Sequence, residues 1–245
     1  MLFKAHITHR FFRRPKNKEL GGLLPIAALP PHRGEIKDLA DFLISQVKKL
    51  GVHVTVGHTV DEAVIDDIKP DTIIMATGAT PIIPTVPGAE NKNIVTAEAA
   101  LTGASFGKNV VVVGGGLVGC ETAEFMAAKG AHVTIVEMLD NVAMDMGLLD
   151  KALLLMRLEE MGVTIVTGGT VTAFKENSVV VEKAGKEETI DGVDTIILAL
   201  GYKADVTMQP LLEKKKIPYH MIGDCAGPRK IVDAVYEGFL NAYQI

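Results

Sequence analysis

The sequence predicts an α/β protein in which one domain of alternating strands and helices is inserted into a second domain of the same class. Between Asn109 and Gly201, short β-branched runs alternate with helical patterns, an order typical of a parallel sheet covered by helices. The segments before and after this region resemble each other more than they resemble the middle. We therefore predict an inserted domain over 98–201 and a split outer domain over 21–97 and 202–245.

The composition excludes several classes of function. Hydrophobic residues make up 48% and charged residues 22% of the 245, as in a globular chain, and the formal net charge of −5 disfavours a nucleic-acid partner. The apolar runs are far shorter than the roughly 20 residues that cross a bilayer. Cys120 and Cys225 lack partners at redox or metal-ligand spacing. We expect small-molecule partners, no nucleic acid, no membrane, no metal site and a cytoplasmic location, with both cysteines as packing residues.

Periodicity predicts the individual elements. In the outer domain we expect a helix over 34–50, strands over 52–56, 72–75 and 219–222, a polar connection after the first of these strands, a proline-rich linker over 81–88 and a helix from 231 to the end. In the inserted domain we expect strands over 109–113, 132–137, 163–166 and 195–200, helices over 117–129 and 148–161, and a polar meander containing Val179–Val181.

A glycine motif joins the first strand and helix of the inserted domain. It reads Gly114-Gly115-Gly116-Leu117-Val118-Gly119, with the spacing Gly-x-Gly-x-x-Gly. The first glycine permits a tight turn, the second lets the backbone approach a pyrophosphate, and the third lets helix and strand pack closely. The free N–H groups of the helix favour a phosphate. We therefore predict a Rossmann-like, three-layer domain that binds a dinucleotide, the alternative being a glycine turn without a ligand.

Acidic residues near this motif indicate which dinucleotide it takes. Glu137 ends the next strand, 23 positions after Gly114 (137 − 114), where a carboxylate binds the adenosine ribose hydroxyls and repels a 2′-phosphate. We therefore expect NAD(H) in preference to NADP. Glu121 lies in the first helical turn, either near the nicotinamide or as a charge that complements the helix dipole. Gly223-Asp224 follows a short strand and suits a ribityl or ribose hydroxyl, although turns often contain this dipeptide.

Four motifs together resemble those of a known family. The motifs are Ala76-Thr77-Gly78, the glycine motif with Glu121, Leu198-Ala199-Leu200-Gly201 and Gly223-Asp224. Residues 16–245 resemble the two-dinucleotide-binding-domain flavoproteins. A second group of residues is similar to the C-terminal part of NADH:flavin oxidoreductases related to 2,4-dienoyl-CoA reductase, 2-enoate reductase and trimethylamine dehydrogenase: Glu19-Leu20-Gly21-Gly22-Leu23, Ala28-Leu29-Pro30-Pro31 and Glu35-Ile36.

The resemblance implies an oxidoreductase with two cofactors. It places FAD beside five residues of the outer domain, with Ala76 next to them: Gly22, Thr77, Gly78, Gly223 and Asp224. It assigns NADH to the inserted domain, with Gly201 among the contacts, and direct hydride transfer from NADH to FAD. No residue is expected to act as an acid or base, because hydride transfer needs positioning above all. In the family the electrons continue to FMN in an N-terminal barrel, where an enoyl or dienoyl substrate is reduced.

The N-terminal segment departs from that family. The FAD domain should open with its own glycine motif and a strand ending in an acid, which would fall at about Pro15. Instead, basic residues crowd the first twenty positions without strand alternation, and we interpret 1–20 as a basic tail on an N-terminally incomplete FAD domain. We expect a truncated or misread chain that retains FAD poorly. Its expected partner is a second copy of the chain or the missing N-terminal barrel.

Three functions remain as hypotheses at this point. The first is an electron-input module that passes hydride from NADH to FAD in an enoate-reductase-like enzyme. The second is a non-catalytic NAD(H)-binding module, which the missing FAD motif supports. The third, a thiol-disulfide reductase, would need the paired cysteines that the sequence lacks.

Overall fold

The computed structural model describes the backbone of Arg10–Phe12 and all of residues 19–245. In chain order the elements are β1 (Arg10–Phe12), α1 (Leu24–Ala27), α2 (Gly34–Lys49), β2 (His53–Thr55), α3 (Glu62–Ile68), β3 (Ile73–Met75), β4 (Ala79–Pro81), β5 (Ile94–Thr96), α4 (Ala97–Leu101), β6 (Asn109–Val113), α5 (Leu117–Ala128), β7 (His132–Val136), α6 (Leu148–Glu160), β8 (Thr164–Val166), β9 (Gly169–Phe174), β10 (Ser178–Lys183), β11 (Lys186–Asp191), β12 (Thr195–Leu198), β13 (Tyr202–Ala204), α7 (Gln209–Lys215), β14 (Tyr219–Met221) and α8 (Ile231–Gln244).

The described chain forms two compact units. One, here called the inner unit, comprises Leu29–Arg33 and Thr80–Lys203. The other, the outer unit, comprises Gly34–Ala79, Ala204–Ile245 and the described part of the chain up to Ala28. The main segment of the inner unit begins at Thr80, ahead of the predicted boundary near residue 98, and it includes β5, which pairs in parallel with β12.

The inner unit is built around a five-stranded parallel sheet with the order β5-β12-β6-β7-β8. Helix α5 connects β6 to β7 and helix α6 connects β7 to β8, so that both crossovers join parallel neighbours. A separate antiparallel sheet has the order β11-β10-β9. The polar meander predicted around Val179–Val181 is this three-stranded sheet.

Alternate residues of each central strand enter two different cores. On one face, Val110 and Val112 of β6 pack with residues of α4, α5 and α6, including Met126 and Leu158. On the other face, Val111 and Val113 pack with the antiparallel sheet. This alternation follows from the two-residue period of a strand. Helices, parallel sheet and antiparallel sheet therefore form three layers, which confirms the predicted α/β, Rossmann-like fold class.

The outer unit contains short parallel pairs of strands. Strand β3 pairs with β14, aligning Ile73 with Tyr219, and their core includes Ile65 of α3 and Leu212 of α7. Helix α3 occupies the stretch that we predicted as a polar connection. Its signal was Asp61, whose carboxylate caps the helix by accepting the Val64 N–H at 3.0 Å.

The expectation of a tail without strands over 1–20 is wrong for three residues. Arg10–Phe12 form β1, which pairs in parallel with β2 and aligns Arg10 with His53. Parallel pairing uses backbone groups, and aromatic residues such as Phe favour strands, so neighbouring basic residues do not prevent it. The position of Pro15, where the ribose-binding acid was expected, lies outside the described residues.

Within residues 10–12 and 19–245, no helix is both long enough and apolar enough to span a membrane.

The helix layer offers a direct test of the packing. Leu158 on α6 is fully buried, whereas Leu148 on the same helix is 87% exposed. We expect Leu158→Ala to lower the free energy of unfolding by about 2–5 kcal/mol, because it leaves a cavity in the core. Leu148→Ala should change it by less than about 0.5 kcal/mol. Urea unfolding of both variants measures the difference, and equal losses would contradict the assignment of this helix face.

Candidate dinucleotide-binding site

The turn between β6 and α5 is shaped by close backbone approaches that only glycine allows. Gly114 has φ +104°, and a Cβ there would lie 2.3 Å from the carbonyl oxygen of Ala199. A Cβ on Gly119 would lie 1.9 Å from the carbonyl oxygen of Gly114. The start of α5 therefore packs directly on the end of β6, as the spacing of the motif predicts.

Gly116 differs from the other two glycines of the motif because its surroundings are open. It is the N-cap of α5, with φ −69° and ψ −173°, and a Cβ there would meet nothing closer than Asp145 Oδ2 at 3.7 Å. Its backbone conformation does not require glycine. Packing among the described residues therefore does not explain a glycine at this position.

Glu137 lies just after the end of β7 and is held by the glycine turn. Its residue exposure is 9%, its Oε2 accepts the Gly115 N–H at 2.6 Å, and its Oε1 accepts the Leu139 N–H at 2.8 Å. Each carboxylate oxygen has two lone pairs, so both can accept a further hydrogen bond. The carboxylate is thus fixed in direction beside the glycine turn and keeps capacity for hydroxyl donors.

Glu121 forms an ion pair that the sequence did not reveal. Its Oε1 accepts a hydrogen bond from the Arg33 guanidinium, and the side chains are 12% and 28% exposed respectively. Burial raises the pKa of the Glu121 carboxyl above its ordinary value, and the Arg33 partner opposes that rise. The structure thus gives Glu121 a cationic partner rather than the helix dipole alone.

A second acid on the same helix is more deeply buried. The Glu124 side chain is 1% exposed and accepts hydrogen bonds from the guanidinium of Arg157 on α6, while His32 Nε2 lies 4.0 Å from its Oε1. This pair raises the pKa of Arg157. Sequence reasoning missed Glu124, although two glutamates three residues apart on a helix with no other charged residue were a visible signal. Their partners were not visible, because they lie 33 and 88 positions away.

The loop between β7 and α6 covers the glycine turn. The Ala143 N–H donates to the Gly115 carbonyl oxygen at 2.7 Å, and Asp145 Oδ1 accepts the Leu117 N–H at 2.9 Å. Asp145 therefore accepts a hydrogen bond from one of the N–H groups at the start of α5 that have no partner within the helix. Nothing in the sequence pattern singled out this residue.

Gly201 lies near the same end of the sheet. It has φ +88°, and its carbonyl oxygen accepts the Ile82 N–H at 3.0 Å. A narrow cleft of about 10 Å³ has as its lining residues Pro81, Ala97, Val118, Leu198, Ala199, Gly201 and Tyr202. The structure thus brings Gly201 beside Val118 of the glycine motif.

In the outer unit, the residues expected near FAD follow two neighbouring strands. Ala76, Thr77 and Gly78 come after β3, and Gly223 and Asp224 come after β14, so parallel pairing brings them to one edge. This edge is tied together by the Ile222 N–H, which donates to the Met75 carbonyl oxygen at 3.0 Å.

Further contacts shape this edge. The Thr77 hydroxyl donates to the Asp205 carbonyl oxygen, and the Gly223 N–H donates to Glu237 Oε2 at 2.7 Å. Gly22 lies in the turn before α1, and within residues 19–245 no hydrogen bond joins it to this edge.

The two cysteines do not form a redox site. Cys120 and Cys225 are buried and unpaired with each other, and burial raises the pKa of the Cys120 thiol to about 12. A thiol with that pKa stays protonated at neutral pH and is a poor nucleophile. In the part of the chain that the structure describes, no cluster of His, Cys, Asp or Glu could hold a metal ion.

The geometry of the glycine turn predicts unequal losses of stability for two alanine substitutions. Gly119→Ala should lower the free energy of unfolding by about 1–3 kcal/mol, because its methyl group collides with backbone that cannot move away. Gly116→Ala should cost less than about 1 kcal/mol, because its surroundings are open and its φ is allowed. Thermal or urea unfolding distinguishes them, and equal costs would contradict the proposed packing.

The Arg33 pair predicts a pH-dependent loss of stability. Arg33→Gln should raise the pKa of Glu121 further, because it leaves burial unopposed. Above that pKa the folded protein contains an ionised, buried carboxylate, so we expect a loss of about 1–3 kcal/mol at neutral pH. The loss should shrink near pH 4.5, where the folded state carries a protonated Glu121.

The control for this experiment is the double variant Arg33→Gln/Glu121→Gln. It removes the titrating group, so its loss of unfolding free energy should not shrink between neutral pH and pH 4.5. A loss for Arg33→Gln that is the same at both would contradict the role assigned to this pair.

The chain is similar to several known proteins. An "NADH oxidase" of Thermoanaerobacter brockii is 39% identical over 244 residues, which cover 97% of this chain and 37% of the relative. A "Bilirubin reductase" of Mediterraneibacter gnavus is 34% identical, covering 93% of this chain and 36% of the relative. Among solved structures, a 2-naphthoyl-CoA reductase complex superimposes with a TM-score of 0.90 at 25% identity, covering 98% of this chain and 36% of that one.

These matches confirm the predicted resemblance to two-dinucleotide-binding-domain flavoproteins of the NADH:flavin oxidoreductase group. The chain spans little more than a third of the length of each of these relatives. The family model described as "Pyridine nucleotide-disulphide oxidoreductase" matches residues 48–238, which include the glycine turn, Glu137 and the edge formed by β3 and β14. The chain therefore belongs to the pyridine nucleotide-disulphide oxidoreductase family.

Proposed function

We propose that this chain is an NADH-dependent flavin oxidoreductase module that accepts hydride from NADH onto FAD. The observation that carries the proposal is the open surroundings of Gly116 at the N-terminus of α5, beside a buried Glu137 whose direction is fixed. The family match and the oxidoreductase names of the relatives support binding of FAD and a nicotinamide dinucleotide.

The inner unit has groups of the correct chemistry for each part of NADH. The N–H groups of Leu117 and Val118 lie in the first turn of α5, where backbone donors and the helix dipole favour a pyrophosphate. Glu137 keeps lone pairs for the two ribose hydroxyls of the adenosine. Gly201 and the adjoining cleft lie at the carboxyl end of β12, which is the edge where ligands of parallel sheets bind.

Charge favours NADH over NADPH. Glu137 is a buried carboxylate, and a 2′-phosphate placed beside it would meet a like charge in a poorly solvated position. Between Met138 and Lys151 the chain has no Arg or Lys to compensate. We therefore expect NADH to bind more tightly than NADPH.

In the outer unit, the edge after β3 and β14 is the proposed FAD contact. Gly78 and Gly223 have φ +76° and +63°, so the chain turns sharply there and exposes backbone groups to a ligand. Asp224 accepts the Arg229 N–H at 3.3 Å, and its other carboxylate oxygen can take a ribityl or ribose hydroxyl.

Bound FAD would supply the two-electron acceptor that takes the hydride of NADH. The chain's own residues would bind and orient the nucleotides, and none is required as an acid or base. By the family resemblance such a module would deliver electrons onward, so the proposal includes a substrate of the enoyl or dienoyl type, a barrel partner and self-association.

A second candidate is a non-catalytic NAD(H)-binding module. The observation that favours it is that the glycine turn, Glu137 and Gly201 all lie within the inner unit, so nucleotide binding there would need none of the residues expected near FAD. A thiol-disulfide reductase is disfavoured, because Cys120 and Cys225 are both buried and Cys120 remains a neutral thiol.

A visible absorbance spectrum separates the two candidates. The protein is incubated with excess FAD, desalted and treated with NADH under anaerobic conditions. We expect flavin bands that survive desalting and bleach on addition of NADH, and slower bleaching with NADPH. Gly116→Ala is the matched control, because it should retain FAD yet lose most of the bleaching.

Three outcomes would contradict different parts of the proposal. A colourless protein that still binds NADH would establish the non-catalytic module and overturn the proposed enzyme. Retained flavin that NADH does not reduce would show that the inner unit fails to deliver hydride. Equal bleaching by Gly116→Ala and the unaltered protein would contradict the role given to Gly116.

A further inference from the structure

The loop between β7 and α6 places a carboxylate where the cofactor's phosphates are expected. Asp145 Oδ1 accepts the Leu117 N–H at 2.9 Å, and its two oxygens lie 3.7 and 3.9 Å from the position of a Gly116 Cβ. These are the backbone positions at the open start of α5 to which we assign the pyrophosphate. The Asp145 carboxylate and the pyrophosphate cannot both accept the single Leu117 N–H.

We propose that Asp145 is an internal competitor of the dinucleotide pyrophosphate, and that its carboxylate must leave the Leu117 N–H when the cofactor binds. The inference rests on the proposed function, since it concerns the affinity of the same glycine turn for NADH. It gives Asp145 a role in setting that affinity.

Two contacts hold the competing carboxylate in place. The Ala143 N–H donates to the Gly115 carbonyl oxygen at 2.7 Å, and the Val142 side chain packs over Gly115, where a Cβ would be 2.6 Å from its Cγ1. Ala143 adopts φ +52°, a left-handed conformation that costs a non-glycine residue energy. The loop is therefore fixed against the turn at Gly115 and directs Asp145 towards Leu117.

The charges around the start of α5 lower its expected affinity for a phosphate group. Glu121 and Glu137 also lie near the start of α5, and Glu121 is neutralised by Arg33 while Glu137 is held by two backbone N–H groups. Over residues 19–245, Asp145 has no ion pair with a basic side chain. An arriving phosphate would therefore meet an uncompensated negative charge as well as an occupied donor.

Because the effect acts on phosphate, it should depend on which part of the cofactor is offered. Asp145→Asn removes the charge and keeps the shape of the side chain. We expect it to lower the dissociation constant for ADP and NADH about five-fold at low ionic strength, equal to about 1 kcal/mol. Adenosine has no phosphate, so its dissociation constant should stay unchanged.

Asp140→Asn is the matched control. Asp140 lies in the same loop and its substitution removes the same charge, but its side chain lies near Gly168 rather than the glycine turn. We expect its dissociation constants for ADP and NADH to stay within about two-fold of the unaltered protein. Isothermal titration calorimetry of all three proteins with ADP, NADH and adenosine provides the comparison.

A second measurement tests the contact without any ligand. Hydrogen exchange at the Leu117 amide of the cofactor-free protein should lose its protection in Asp145→Ala and keep it in Asp140→Ala. If exchange at Leu117 is the same in both, the competing contact does not exist and the inference is overturned, whatever the protein binds.

The binding results separate this inference from the proposed function. If the unaltered protein and Asp145→Asn bind ADP with equal affinity, the inference falls and the NADH site stands. If neither protein binds ADP or NADH, the proposed function and the inference both fall. Tighter ADP binding with unchanged adenosine binding supports both.

Discussion

The close approach of α5 to β6 is the constraint on which the rest of the inner unit depends. A side chain at Gly119 would overlap the Gly114 carbonyl oxygen, and a side chain at Gly114 would overlap the backbone at Ala199. The helix can therefore start immediately above the central strand with its N–H groups facing outward. This single packing arrangement fixes the direction of the helix dipole, the position of Gly116 and the space that a phosphate can enter.

Within the described residues, the acids at the start of α5 divide into three that have partners and one, Asp145, that pairs with no basic side chain. Arg33 neutralises Glu121, Arg157 binds Glu124, and two backbone N–H groups hold Glu137. The first two pairs hold acids that burial would otherwise make costly. Within residues 19–245 Asp145 pairs with no basic side chain and accepts the Leu117 N–H, which is why we propose it as the carboxylate that a bound phosphate displaces. The affinity of the turn for its ligand thus reflects packing and charge together.

Several features could be predicted because they arise from neighbouring residues. The helix α6 was expected over 148–161 and is found over Leu148–Glu160, and β6 begins and ends at the expected residues. Their apolar periodicity and flanking glycines are local signals. The short β1 was not expected, because its pairing with β2 joins segments more than forty positions apart, as Arg10 and His53 show. The pairing of β5 with β12 escaped prediction for the same reason.

By itself, the sequence determined the parallel α/β class, the glycine turn and the acid that follows the next strand. These depend on residue type and spacing along a short stretch of chain, where sterics and hydrogen bonding act locally. Only the tertiary structure decided that Arg33 neutralises Glu121, that Arg157 binds Glu124, and that Asp145 takes the Leu117 N–H. Those partners lie 28 to 88 positions apart, and the folding of the whole sheet brings them together.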